Sequence, residues 1–174
     1  MCLKSNLAIL LCVFLCLGTF SQQTYAGSIS CDDSGLEIMD AQIRATPPNA
    51  PVTGGYMVIK NHGDKAQRLV SVQAVFSERA ELHDMKMQDG VMRMFALENG
   101  IMIPAGLQII LKPGGRHIMF MQLNRALKEG TSHEVELFFH DCGAMVKNFS
   151  VTKTPGQNHL SHNSDSHHHT HENR

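Results

Sequence analysis

Between Glu81 and Leu123 the chain reads ELHDMKMQDGVMRMFALENGIMIPAGLQIILKPGGRHIMFMQL, a stretch holding seven of its eleven methionines and two of its histidines. Two clusters stand out: His83-x-Met85-x-Met87 followed by Met92-x-Met94, and then His117-x-Met119-x-Met121. Imidazole nitrogen is a borderline donor and thioether sulfur a soft one. Together they suit Cu(I), a polarisable d¹⁰ ion, whereas calcium and magnesium demand oxygen ligands. A thioether has no proton to lose and forms no disulfide, so such a site works where free thiols would be oxidised.

Strand geometry says how these donors could meet. Alternate residues of a strand share a face, so His117, Met119 and Met121 stand on one side and Ile118 and Phe120 on the other. If Ile118 and Phe120 face the core, the His–Met face is free for a metal; the alternative is a two-sided core with Met119 and Met121 inside it and His117 at its edge. The first cluster favours the metal. His83 opens a hairpin that turns at Gln88-Asp89-Gly90, and Val91-Met92-Arg93-Met94 returns beside it, which lets His83 and Met94 approach. A lone histidine would be a surface or capped residue. Two histidines grouped with several methionines instead suggest one centre built from two hairpins, separated by an apolar hairpin that supplies no ligand. Met85, Met87, Met92 and Met121 are left with two roles, a soft rim around the site or core packing.

The elements that must position these residues are strands. Turn signals recur about every ten residues, and the segments between them alternate in polarity, as in a sandwich or barrel. Strands are expected at Leu36–Arg44, Gly55–Lys60, Arg68–Ala74, Arg79–Met85, Val91–Leu97, Leu107–Leu111, His117–Leu123, His133–Phe139 and Ala144–Thr152. Pro47-Pro48, Asn61-His62-Gly63-Asp64, Asp89-Gly90, Asn99-Gly100, Pro104-Ala105-Gly106, Pro113-Gly114-Gly115 and Glu129-Gly130 punctuate them. Helical periodicity is absent except for a short turn expected at Asn124–Lys128. Val135, Leu137 and Phe139 form one core face, as do Met145, Phe149 and Val151, with Glu134, Glu136 and Asn148 opposite. Met39, Met57 and Met145 are assigned to that core as gap-fillers.

The two ends differ from this domain. Lys4, the apolar run Leu7–Phe20 and Thr24-Tyr25-Ala26 have the layout of a signal peptide over residues 1–26, cleaved before Gly27. The apolar run is short of the roughly 20 residues that span a bilayer, so no membrane insertion is expected after cleavage. Removing 26 of 174 residues leaves 148, one domain's worth. Cys2, Cys12 and Cys16 go with the signal, leaving Cys31 and Cys142, which in an exported chain are expected to pair. The domain is expected over residues 27–154. From Pro155 the chain reads PGQNHLSHNSDSHHHTHENR, too polar to offset its ordering entropy, and it is read as a disordered, low-specificity metal-binding tail. Its six histidines are His159, His162, His167, His168, His169 and His171.

Several classes of function fall away. The formal net charge of −1 becomes −2 without Lys4, and no basic patch points to nucleic acid. Neither a nucleophile–base pair nor paired carboxylates occur in a recognisable setting, and the domain has no Cys-x-x-Cys, so no enzyme is expected. A blue-copper carrier needs a Cys thiolate with two His and an axial Met. Around His140-Asp141-Cys142-Gly143-Ala144-Met145 no His follows the Cys, and Cys142 has Cys31 as its expected partner.

The same residues carry a family resemblance. The chain resembles the PCuAC family of periplasmic copper chaperones, whose motif is His, ten residues, Met, about twenty-one residues, then His-x-Met. His83 and Met94 are separated by ten residues, and His117-Ile118-Met119 closes the pattern after 22. GVMRM, IPAG, LKPGGRHIM and GGYMVIKNHGDKAQRL are also similar to the family, so the likeness covers roughly residues 31 to 152. It implies an all-β, cupredoxin-like (Ig-like) Greek-key β-sandwich with an exposed Cu(I) site made by His83, Met94, His117 and Met119. It further implies donation of copper to a respiratory cytochrome oxidase, at its CuA centre or through an assembly factor; separately, a monomer is expected. The His-rich extension resembles tails on some relatives, where it holds additional copper. Imidazoles titrating near pH 6.5 suit Cu(II) or Zn(II), so the tail is expected to collect Cu(II) near the core site. The competing reading is an exported protein that sequesters copper or zinc, with His159–His171 as its principal site.

Overall fold

The computed structural model describes Cys31 and residues 34–156. The expected signal peptide and the tail histidines lie outside the described residues. Ten strands form: β1 (Leu36–Arg44), β2 (Val52–Asn61), β3 (Gln67–Gln73), β4 (Ser77–Gln88), β5 (Val91–Ala96), β6 (Ile101–Ile103), β7 (Gln108–Leu111), β8 (His117–Leu123), β9 (Ser132–Phe139) and β10 (Gly143–Thr152). Hydrogen bonding runs in the order β5-β4-β8-β2-β1-β10-β9-β3-β6, with β7 also on β2. The ladder folds over as a cupredoxin-like sandwich. Met57, Ile59, Leu82, Ile118 and Phe120 line one wall, and Leu69, Val72, Val135, Leu137, Phe139, Met145, Phe149 and Val151 line the other. Every pairing is antiparallel except β1 with β10, which is parallel and joins the two walls.

Strand parity set by the sequence decides which side chains enter this core. Ile118 and Phe120 are fully buried, and Phe120 meets Phe76 edge to face at 4.9 Å. The reading that left the His–Met face of β8 outside the core therefore holds. Met57 and Met145 are core residues, but Met39 is a correction. It is half-buried and stands opposite Val58, outside the core. The register slips between Met39 and Gln42, and Asp40 takes a φ of 50°. This bulge inserts a residue and reverses parity, so Ile43 points inward while Met39 points out.

Two other expectations change. Asn124–Lys128 forms bends rather than a helical turn: Leu127 is fully buried and exchanges backbone contacts with Thr46, its N–H reaching Thr46 Oγ1 at 2.9 Å. Anchoring that one apolar side chain outweighs the weak local preference for a turn. β6 was not expected, because three residues between two turn signals are too few to show alternation. Ile101 and Ile103 are nonetheless buried, and the turn before them needs Gly100 at φ 72°, where a Cβ would lie 2.2 Å from the Leu69 carbonyl oxygen. A disulfide joins Cys31 to Cys142 across 111 residues of sequence and ties the segment before β1 to the start of β10. Neither sulfur is then a free thiolate, which removes the ligand a blue-copper centre requires.

Candidate metal centre

The site is assembled by two registers, one of them dictated by a turn. Asp89 and Gly90 both have positive φ, at 51° and 77°, the conformation of a two-residue hairpin loop. That loop sets Gln88 against Val91 and, rung by rung, Met87 against Met92, Met85 against Met94 and His83 against Ala96. On its other edge β4 pairs with β8, placing His83 directly opposite His117 and Glu81 opposite Met119. The result is one sheet face, opposite the core, that carries both histidines and all six methionines of β4, β5 and β8.

The histidines meet most directly. Their rings lie edge to face with centroids 5.8 Å apart. Met119 is two positions along from His117 on the same face and diagonal to His83. Met94 is diagonal to His83 on the other side, one rung closer than Met92. The resemblance implied an exposed site, and the structure corrects this for the imidazoles. His83 and His117 are only 8% and 6% exposed, whereas Met94 is 47% exposed. Met85, Met119 and Met121 are half-buried, and none of the six is a core residue. Core packing is thereby removed as the role of Met85, Met87, Met92 and Met121. Along β8 and at Leu82 of β4 this face is outward because Leu82, Ile118 and Phe120 fill the interior, whereas the β4–β5 hairpin from Lys86 to Ala96 is exposed on both faces.

Hydrogen bonding sets the tautomer of each ring. His117 Nδ1 lies 2.8 Å from the Gly115 carbonyl oxygen, which can only accept, so Nδ1–H donates and Nε2 keeps a lone pair. His83 Nε2–H donates to Glu81 Oε2 at 2.8 Å, leaving a lone pair on Nδ1. That Nδ1 is buried with no partner among the described residues. Leaving a buried polar atom unmade costs about 1–3 kcal/mol, and a metal ion bound there would relieve it. Glu81 is itself braced, since Arg79 Nε donates to its Oε1 at 2.7 Å. The His83 hydrogen bond, then that of Arg79, holds the Glu81 carboxyl below its ordinary range, against the opposing effect of burial. A carboxylate behind a ligating imidazole orients the ring and raises its basicity.

On β2, Tyr56 packs beside His117 with ring centroids 6.5 Å apart. Its phenol folds back over Gly54, where a Cβ would stand 2.3 Å from the hydroxyl, and Gly54 is the residue opposite Met119. Glycine here is therefore a space requirement. Among the described residues, no group of three or more His, Cys, Asp or Glu is arranged to hold a metal. Among the described residues, the donors that share the histidines' face in number are thioethers, and a set of two nitrogens with two sulfurs would fit a soft monovalent ion.

Glu81, Arg79, Tyr56 and Gly54 were not foreseen. Arg79-x-Glu81-x-His83-x-Met85 alternates along one strand, a period that could have placed the first two beneath the ligand. Tyr56 and Gly54 share a face of β2 two residues apart, but the rotamer that folds the phenol back over the glycine is not signalled by the sequence.

Comparison with known proteins gives a consistent picture. A family model described as "Putative lipoprotein LpqE-like" matches residues 36–151. A relative from Leifsonia xyli subsp. xyli, also described as a putative lipoprotein, is 30% identical over 121 residues, 67% of this chain and 72% of its own. An uncharacterized protein of Rickettsia prowazekii is 26% identical over 55% of this chain and 53% of its own. Among solved structures, the copper-bound PCuAC domain from PmoF2 aligns with a TM-score of 0.58 at 21% identity, covering 70% of this chain and 94% of that one. The solution structure of Cu(I)-bound DR1885 from Deinococcus radiodurans aligns at 0.52 with 25% identity, covering 76% and 85%. The chain belongs to the LpqE-like family, and its sandwich is the fold of the PCuAC domains.

Proposed function

We propose that the protein is an exported, periplasmic copper chaperone that holds Cu(I) through His83, Met94, His117 and Met119. One observation carries this reading: two histidines face each other across neighbouring strands, each with a ring nitrogen left as a lone-pair donor on a methionine-bearing face. The copper-bound PmoF2 and Cu(I)-bound DR1885 domains share the fold, which supports copper as the metal. Neutral donors bind the ion without proton release. They can also be replaced one at a time by the ligands of an acceptor, as a carrier that must both hold and release requires. The acceptor is a respiratory cytochrome oxidase, at its CuA centre, or a protein that assembles it. The histidines of the tail, His159 to His171, collect Cu(II) and raise its concentration near the site.

Anaerobic titration of Cu(I) against a competing chelator tests the core site. Single substitution of His83, Met94, His117 or Met119 by Ala should weaken Cu(I) binding by about a hundredfold or more for the histidines and less for the methionines. Unchanged affinity in both His117→Ala and Met119→Ala would mean that Cu(I) is held elsewhere than at the histidine pair, as in a sequestering tail, and defeat the proposal. Removing residues after 154 should lower the Cu(II) count and leave Cu(I) affinity in place.

A further inference from the structure

The β4–β5 hairpin carries more thioether than the histidine site uses. Its turn sets Met87 opposite Met92 and Met85 opposite Met94, so four side chains stand in two successive rungs on one face. Every residue from Lys86 to Ala96 is exposed, Met87 at 59% and Met92 at 43%. Packing therefore does not account for these methionines. Solubility does not either, since the opposite face of the same hairpin carries Lys86 against Arg93 and the Asp84–Arg116 ion pair at 3.4 Å. The histidines, by contrast, lie under cover. An ion arriving from solvent at this end of the sheet meets thioethers before it meets imidazole.

We propose that Met85, Met87, Met92 and Met94 form a second soft-metal site, which takes a monovalent d¹⁰ cation and passes it inward to the histidine pair. Opposed residues on neighbouring strands place their Cβ atoms about 4.5–5.5 Å apart, and the unbranched, flexible methionine side chain spans the remainder. Met85, Met87 and Met92 suffice to hold an ion while Met94 serves His83, and Met94 belongs to both sets. The hand-over is ligand exchange: a bond from the free Nδ1 of His83 to the metal forms as a bond from Met87 or Met92 sulfur breaks, with Met94 sulfur bound throughout. All donors are neutral, so no proton or electron moves and the ion stays monovalent. The hand-over rests on the copper reading of the histidine pair; binding at the hairpin does not.

Silver(I), which does not change oxidation state, is added to the full chain carrying ¹³C-methyl methionine, and the methionine methyl and histidine ring signals are followed by NMR. Met87 and Met92 methyls are expected to shift, and to do so again in a His83→Ala/His117→Ala variant. In Met87→Leu/Met92→Leu, which keeps volume and removes sulfur at two exposed positions, the histidine rings should still respond but about tenfold more slowly. Methyls of Met87 and Met92 that stay in place while the rings respond would overturn the second site and leave the copper reading standing. Methyls that respond while the rings do not would support the hairpin site and remove its hand-over together with the copper reading. Unslowed ring response in the leucine variant would overturn the hand-over alone.

Discussion

Met57 and Met119 sit on adjacent strands of one sheet and do different work. Met57 is fully buried among Ile59, Leu111 and the aromatic core, while Met119 is half-buried on the far face beside Tyr56, Glu81 and His117. Composition cannot separate them. What does is strand parity, and parity places every methionine of β4, β5 and β8 on the outer face and none in the interior. One face of the sheet gains stability by excluding water; the other keeps polarisable donors within reach of an ion.

The sharpest way to break this contrast is to cut each face in turn. Phe120→Ala should destabilise the metal-free protein by about 3–5 kcal/mol. Met119→Leu, one residue away, should cost under about 1.5 kcal/mol and yet weaken Cu(I) binding. Chemical denaturation and chelator competition read the two effects, and equal stability losses would erase the distinction between the faces. Next in size is the disulfide. Replacing Cys31 and Cys142 by Ser releases a 111-residue loop and should cost about 2–5 kcal/mol, seen as a lower Tm, with Cu(I) affinity unchanged. A parallel fall in Cu(I) affinity would mean that the two regions are coupled.

Smaller effects sharpen the picture within the site. Glu81→Gln keeps an acceptor beside His83 but removes the charge. It should lower Cu(I) affinity about tenfold with little change in the denaturation midpoint, and an unaltered affinity would demote Glu81 to a surface ion pair with Arg79. The smallest effect concerns a histidine away from the site. Burial, and then the nearby positive charge of Arg125, pushes His133 below the ordinary imidazole value. Its contribution is full above the unfolded value near 6.5 and is lost as pH falls from there through the lower folded value, because in that window the unfolded chain binds the proton more readily. Unfolding of the metal-free protein measured from pH 7.5 to 5 should show a slope that His133→Gln flattens.

Much of the site could be read before any coordinates. Alternation in His117-Ile118-Met119-Phe120-Met121 separates ligand face from core face, and Asp89-Gly90 specifies a turn that sets the Met85–Met94 register. Met39 shows where this reasoning stops: a single inserted residue at Asp40 reverses parity, and nothing local announces it. β6 was hidden for a different reason, since Ile101 and Ile103 become strand residues only when β3 offers them a ladder. The orphaned Nδ1 of His83 and the phenol over Gly54 were likewise out of reach.

The order of residues alone determined the class of fold, most strand positions, the presence of the β4–β5 hairpin and which residues are candidate donors, because alternation and turn residues act over a few neighbours. Only the tertiary structure decided that His83 stands opposite His117, with the covered rings and free lone pairs that follow. Those residues are far apart along the chain, and their meeting depends on how β4 and β8 align once Leu82, Ile118 and Phe120 have been buried together.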